Sequence, residues 1–85
     1  MFKVEVIGTS GECSLLAAAV RQASQFVGVP VKLVQVDEPD EIAARKLPLT
    51  PAVVVAGELK CHGSMPSQAE LTSWLTTAAL KFETA

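Results

Sequence analysis

The chain has 85 residues, of which 49% are hydrophobic and 19% are charged. This composition excludes intrinsic disorder and leaves room for one domain over residues 1–85. Seven basic residues against nine acidic ones give a net charge of −2, which argues against binding to nucleic acid or an anionic membrane. The apolar runs are too short to cross a bilayer, and charges interrupt the first six residues, so we expect a cytoplasmic protein.

The first half of the chain predicts a strand, a helix and a second strand. Bulky and charged residues alternate over residues 2–7, as in a half-buried strand. Apolar residues then recur at helical spacing over residues 12–27, and Gly28 is a typical helix stop. The β-branched run over residues 31–36 predicts a second strand that is covered on both faces.

The second half predicts a short helix, a hairpin and a final helix. Acidic residues begin and basic residues end the segment 39–46, which complements a helix dipole. Prolines prevent regular structure over residues 47–51. The turn Ala56-Gly57 predicts a hairpin between residues 52–55 and 58–62. Ser67 and Glu70 have capping-box spacing before the last helix.

The predicted order is therefore β-α-β-α-β-β-α, an α/β protein with a mixed four-stranded sheet. Strands joined by a crossover helix should be parallel, and the closing hairpin adds antiparallel strands. One set of apolar residues is expected to form the core: Val4, Val6, Leu16, Val20, Leu33, Val53, Val55, Leu71 and Leu75. Trp74 falls on the same helical face as Leu71 and Leu75 and is expected to pack there.

Two short motifs in this framework carry a family resemblance. The segment Gly8-Thr9-Ser10-Gly11-Glu12-Cys13 joins the first strand to the first helix, and Leu49-Thr50-Pro51 leads into the third strand. With the hairpin over residues 55–60 and Gly63 before Pro66, this set resembles the thioredoxin fold. More closely, it is similar to the small glutaredoxin-like "redox-active disulfide protein" family. The resemblance spans Val4 to Leu75.

The resemblance implies a specific architecture. The sheet order would be 2-1-3-4, with the third strand antiparallel to the first. The first and third helices would share one face, with the second helix on the other. Pro51 would be a cis-proline beside the active-site loop. Thr50 and Pro51, together with Gly11 and Glu12, would shape a groove for an extended peptide or for glutathione.

The chain departs from the family pattern at its redox motif. The family places Cys-x-x-Cys after the Gly-Thr turn, and this chain has Ser10-Gly11-Glu12-Cys13, in a loop about one residue shorter. Ser10 thus replaces the attacking cysteine, and Cys13 aligns with the second, resolving one. A dithiol–disulfide cycle within the motif is impossible with one sulfur.

Cys13 and Ser10 each have two interpretations. The start of a helix lowers the pKa of a thiol, whereas the charge of Glu12 opposes that effect. The favoured alternative is a half-buried thiol without chemistry, because free cysteine is among the most buried residue types. Ser10 is expected to be the N-cap, accepting a hydrogen bond from the N–H of Cys13. Its hydroxyl would otherwise bond a thiolate at Cys13.

Cys61 is a candidate for a resolving thiol, and Cys61 and His62 are candidates for metal ligands. Counting from the hairpin turn, Cys61 faces Ala52, about 10 Å from Cys13 by strand spacing and too far for a direct disulfide. A core position beside Leu59 is favoured for Cys61. Neighbouring strand residues point to opposite faces and no fourth ligand exists, so Cys13, Cys61 and His62 do not predict a metal site. No other cofactor is expected.

Two functions remain open from the sequence. The first is a monothiol redox protein that acts on protein disulfides or thiols through Cys13, assisted by Ser10. The second is a redox-inactive thioredoxin-like module that binds an extended peptide or a protein partner through Thr50 and Pro51.

Overall fold

The computed structural model describes residues 2–46 and 49–82, and of Phe82 only the backbone. Its elements follow the predicted order: β1 Lys3–Ile7, α1 Ser10–Val27, β2 Lys32–Val36, α2 Pro39–Arg45, β3 Ala52–Val55, β4 Glu58–His62 and α3 Gln68–Phe82. The predicted irregular segment over residues 47–51 lies partly outside the described residues.

The four strands form one mixed sheet in the order β2-β1-β3-β4. β1 is parallel to β2 and antiparallel to β3, and β3 is antiparallel to β4. The expected topology is therefore confirmed. The register aligns four residues in one row across the sheet: Val36, Ile7, Ala52 and His62. We call this row and the residues just beyond it the Pro51 end of the sheet.

Helices cover both faces of the sheet. α1 and α3 pack on one face over a larger core that includes Val4, Val6, Leu16, Val20, Val53, Val55, Leu71 and Leu75. α2 covers the other face, where Ile42 packs against the smaller cluster of Ile7, Val36 and Ala52. The expected placement of the three helices is therefore confirmed.

β2 is less covered than its sequence predicts. It is an edge strand, in which Leu33 and Val34 are half-buried and Gln35 is exposed. The expectation of a strand covered on both faces holds in part: Leu33 packs against the larger core on one face, and Val34 and Val36 belong to the smaller cluster on the other. Leu33 accordingly lies at the margin of the core and not inside it.

A buried acidic residue attaches α2 to the sheet. The side chain of Glu5 in β1 is 7% exposed and forms an ion pair with Arg45 at the end of α2. Lys3 lies 3.7 Å from the other carboxylate oxygen. A buried carboxylate requires such a partner, because leaving it uncompensated costs several kcal/mol. This pair fixes the end of α2 over the middle of β1.

α1 begins with Thr9 as its N-cap, so the expectation that Ser10 is the cap is wrong. The Thr9 side chain accepts a hydrogen bond from the Glu12 N–H at 3.2 Å, and the Glu12 carboxylate accepts one from the Thr9 N–H at 2.9 Å. This reciprocal pair is a capping box. Ser10 is thereby the first residue inside the helix.

α3 begins as its sequence predicts. Ser67 Oγ accepts a hydrogen bond from the Glu70 N–H at 3.1 Å, and Glu70 Oε1 accepts one from the Ser67 N–H at 3.0 Å. The predicted capping box is confirmed. Leu71 and Leu75 are buried below it, and Trp74 packs against the same core.

The hairpin contains a β-bulge that shifts part of its register. Val54 faces Leu59 as expected, but the next pair is Val53 with Cys61, which leaves Lys60 without a cross-strand partner. The expected pairing of Cys61 with Ala52 is therefore wrong. Since facing residues share a face of the sheet, the extra residue also places Cys61 and Leu59 on opposite faces.

The cap assignment can be tested by substitution. Thr9→Ala should reduce the free energy of unfolding by about 1 kcal/mol, because the Glu12 N–H loses its acceptor. Ser10→Ala should leave the free energy of unfolding nearly unchanged. Urea unfolding monitored by circular dichroism measures both, and a larger loss for Ser10→Ala than for Thr9→Ala would contradict the assignment.

Candidate functional site

Four segments meet at the Pro51 end of the sheet. Gly8 follows β1, Val36 ends β2, Pro51 precedes β3 and Gly63 follows β4. The Gly8 N–H donates to the Val36 carbonyl at 3.1 Å, and the Gly63 N–H donates to the Pro51 carbonyl at 2.9 Å. The start of α1 and the segment before β3, which hold all the predicted site residues, therefore come together at one end of the sheet.

The Cys13 side chain is fully buried at the start of α1. Its S–H donates to the carbonyl oxygens of Val6, Val36 and Gly8, at 3.3, 3.5 and 3.7 Å. Cys13 is therefore more deeply buried than the half-buried position expected from the sequence. A carbonyl oxygen accepts but cannot donate, so this environment accommodates a thiol and repels a thiolate.

The electrostatics of Cys13 also favour the protonated form. Burial raises the pKa of the Cys13 thiol above its ordinary value, and the carboxylates of Asp37 and Glu12 raise this pKa as well. A thiolate is the nucleophile in thiol chemistry. The lowering effect of a helix start is therefore outweighed, and Cys13 carries an unactivated sulfur.

Ser10, Gly11 and Glu12 form the exposed rim above Cys13. Ser10 and Gly11 are exposed, and among the described residues the Ser10 hydroxyl makes no hydrogen bond. The Cys13 sulfur instead bonds backbone carbonyls. The Glu12 carboxylate is held in place by the Thr9 N–H. This rim therefore presents one oriented negative charge and a hydroxyl that is open to solvent.

Thr50 presents backbone groups without partners. The Thr50–Pro51 peptide bond is cis, Pro51 is buried and Thr50 is exposed. The Pro51 carbonyl is occupied by the Gly63 N–H. In the described part of the chain, no hydrogen bond involves the N–H or the carbonyl of Thr50. This residue can therefore pair with an added segment.

Exposed apolar side chains occur in the two segments that meet here, the one before β3 and the one after β4. Leu49 is 60% exposed and Met65 is 45% exposed. Leu49 lies over Gly63, whose φ of 78° and lack of a side chain permit this approach: a Cβ there would be 2.9 Å from Leu49 Cδ1. We call Thr50 with Leu49, Gly63 and Met65 the Thr50 edge. Sequence reasoning missed Leu49 and Met65, although apolar residues in proline- and glycine-rich loops are a signal for such a surface.

Cys61 lies apart from Cys13 on the last strand. It is half-buried against the larger core, and its Sγ is 3.9 Å from the Ser64 carbonyl. Burial raises the pKa of this thiol, and the charge of Glu70 adds to the rise. Both cysteines are free. Within residues 2–46 and 49–82, no three His, Cys, Asp or Glu side chains are grouped to hold a metal ion.

The raised pKa of Cys13 predicts a pH dependence of stability. The folded protein holds this proton more tightly than the unfolded chain does. The resulting stabilisation is fully present below the ordinary thiol pKa of about 8.5 and is lost as pH rises through the folded-state value. We expect the free energy of unfolding to fall more steeply with alkaline pH in the wild type than in Cys13→Ser, as measured by urea unfolding.

Matched measurements separate the two cysteines. Cys61→Ser should remove its own part of the alkaline dependence, since the pKa of Cys61 is raised too. At neutral pH, iodoacetamide should label half-buried Cys61 before Cys13. Rapid labelling of Cys13 in the folded protein would contradict the buried, protonated sulfur.

Comparisons with known proteins identify the family of the chain. A comparison with curated proteins finds no match. Among the described residues, no helix is long and apolar enough to cross a membrane. A family model described as "Thioredoxin domain" matches residues 2–76, which covers all four strands and the start of α3. The chain therefore belongs to the thioredoxin domain family.

Proposed function

We propose that this thioredoxin domain binds an extended peptide segment at the Thr50 edge and carries out no thiol–disulfide turnover. One contrast carries the proposal. The single sulfur of the motif is buried against three carbonyl oxygens, whereas the backbone of Thr50 is exposed without a partner in the described chain.

The state of Cys13 argues against redox turnover. Exchange begins when a thiolate attacks a disulfide sulfur, so the attacking sulfur must be accessible and deprotonated. Cys13 is 0% exposed and its pKa is raised. Ser10 holds the exposed position at the helix start, and its oxygen cannot form a disulfide. The monothiol hypothesis would need an opening of the helix start for each attack.

The Thr50 edge supports binding without chemistry. An added strand-like segment gains affinity from main-chain hydrogen bonds and specificity from its alternate side chains. Thr50 offers a backbone donor and acceptor, and Leu49 and Met65 offer apolar surface to cover. Glutathione can use the backbone groups but has no apolar side chain for Leu49 or Met65. A protein segment is therefore the better match to this surface.

The absence of turnover can be tested by restoring the second sulfur. The wild type should not reduce a small disulfide in a thiol-coupled assay. Ser10→Cys should be oxidised by glutathione disulfide to an intramolecular disulfide with Cys13, releasing two molecules of glutathione, and should turn over in that assay. Ser14→Cys is the matched control, because it adds an exposed thiol next to Cys13 without the motif spacing. Turnover by the wild type would overturn this part of the proposal.

Binding can be tested by nuclear magnetic resonance with a blocked peptide of alternating valine and serine. The amide signals of Thr50 and Gly63 should shift on titration. Leu49→Ser should weaken binding roughly fivefold, because about 1 kcal/mol of apolar burial is lost. Leu80→Ser is the control, since Leu80 is similarly exposed at 67% but lies in α3. Shifts confined to other surfaces would argue against the Thr50 edge.

A further inference from the structure

Acidic residues are concentrated at the Pro51 end of the sheet. Five acidic residues begin α1 or lie between the end of β2 and the first turn of α2: Glu12, Asp37, Glu38, Asp40 and Glu41. At the other end of the sheet, Lys3 and Lys32 lie side by side in the first row of β1 and β2. Although the net charge is only −2, the Pro51 end of the sheet is therefore strongly acidic.

Two of these carboxylates, those of Asp37 and Glu12, lie near the start of α1. Asp37 directly follows Val36, whose carbonyl accepts the Cys13 S–H and the Gly8 N–H, and Glu12 directly precedes Cys13, so both carboxylates belong to the segments that meet between the ends of β1 and β2. The Glu12 carboxylate is fixed there by its hydrogen bond to the Thr9 N–H. Neither carboxylate has a lysine or arginine partner in an ion pair within the described residues.

The sheet geometry brings this charge within reach of the Thr50 edge. Ile7 pairs with Val36 on one side and with Ala52 on the other. Asp37 and Pro51 are therefore about two strand spacings apart, or roughly 10 Å. That distance is close to the screening length of about 8 Å at physiological ionic strength. A segment bound at Thr50 therefore lies close enough for these carboxylates to act on its charged side chains.

We infer that the segment bound at the Thr50 edge is basic: an extended peptide in which lysine or arginine side chains alternate with apolar ones. This inference rests on the proposed function and names the chemistry of its partner. The apolar side chains cover Leu49 and Met65, and the cationic ones face Asp37 and Glu12. Glutathione carries a net negative charge, so the same carboxylates repel it.

Three blocked peptides of equal length test the charge preference. Valine alternates with lysine in the first, with serine in the second and with glutamate in the third. Dissociation constants are measured from the Thr50 and Gly63 amide signals at a single fixed pH. The lysine peptide should bind most tightly and the glutamate peptide most weakly, and added salt should reduce the difference.

Single charge removals then locate the effect. Asp37→Asn and Glu12→Gln should each weaken the lysine peptide about twofold, as expected for a unit charge some 10 Å away in water. Glutamine keeps the capping hydrogen bond, so helix α1 is retained. The serine peptide should be unaffected by either change. Glu58→Gln, an exposed acid next to the hairpin turn, is the control and should alter nothing.

The outcomes distinguish failure of the basic preference from failure of the proposed binding at Thr50. Equal binding of all three peptides at Thr50 would overturn the basic preference and leave the docking edge intact. Tighter binding of the glutamate peptide would overturn it as well. If no peptide shifts the Thr50 or Gly63 signals, the proposed function fails, and the inference fails with it.

Discussion

The buried sulfhydryl of Cys13 connects the start of α1 to both parallel strands. Its acceptors belong to the end of β1, the loop after it and the end of β2. A thiol is a weak hydrogen-bond donor, so most of its stabilisation comes from burial in a closely packed interior. The position of this one side chain sets how close α1 approaches the sheet. The Cys13 N–H donates to the Thr9 carbonyl at 2.8 Å, so the capped first turn and the buried sulfur are directly connected.

This arrangement separates recognition from chemistry. In the family pattern, the cysteine pair performs exchange and the segment before the cis-proline holds the substrate. Here the first sulfur is missing and the second is structural, while the Thr50 edge depends only on backbone groups and on Leu49 and Met65. Loss of the sulfur removes none of these groups. In the function proposed above, selectivity comes from the charges around the edge and not from the reactivity of a thiol.

Local sequence signals predicted the elements, and non-local packing decided the site. The Thr-x-x-Glu spacing of Thr9 and Glu12 is a capping-box signal, but serine before a helical run is also a favoured N-cap, so the sequence indicates Ser10 as well. The bulge at Lys60 was not readable, since counting from a turn assumes that no residue is inserted. Two acceptors of Cys13 lie close to it in sequence, but the third, the Val36 carbonyl, lies 23 residues away, and no local pattern specifies that contact.

The bulge at Lys60 also affects how the sheet meets other molecules. β4 is an edge strand, and edge strands with regular backbone invite pairing with a neighbouring chain. The unpaired residue interrupts the ladder in the middle of β4, and the Lys60 ammonium, 3.3 Å from Glu58, adds charge to the same edge. Growth of the sheet by stacking one chain onto the next is thereby discouraged along β4. Strand β4 is thus a poor template for a strand added from another chain.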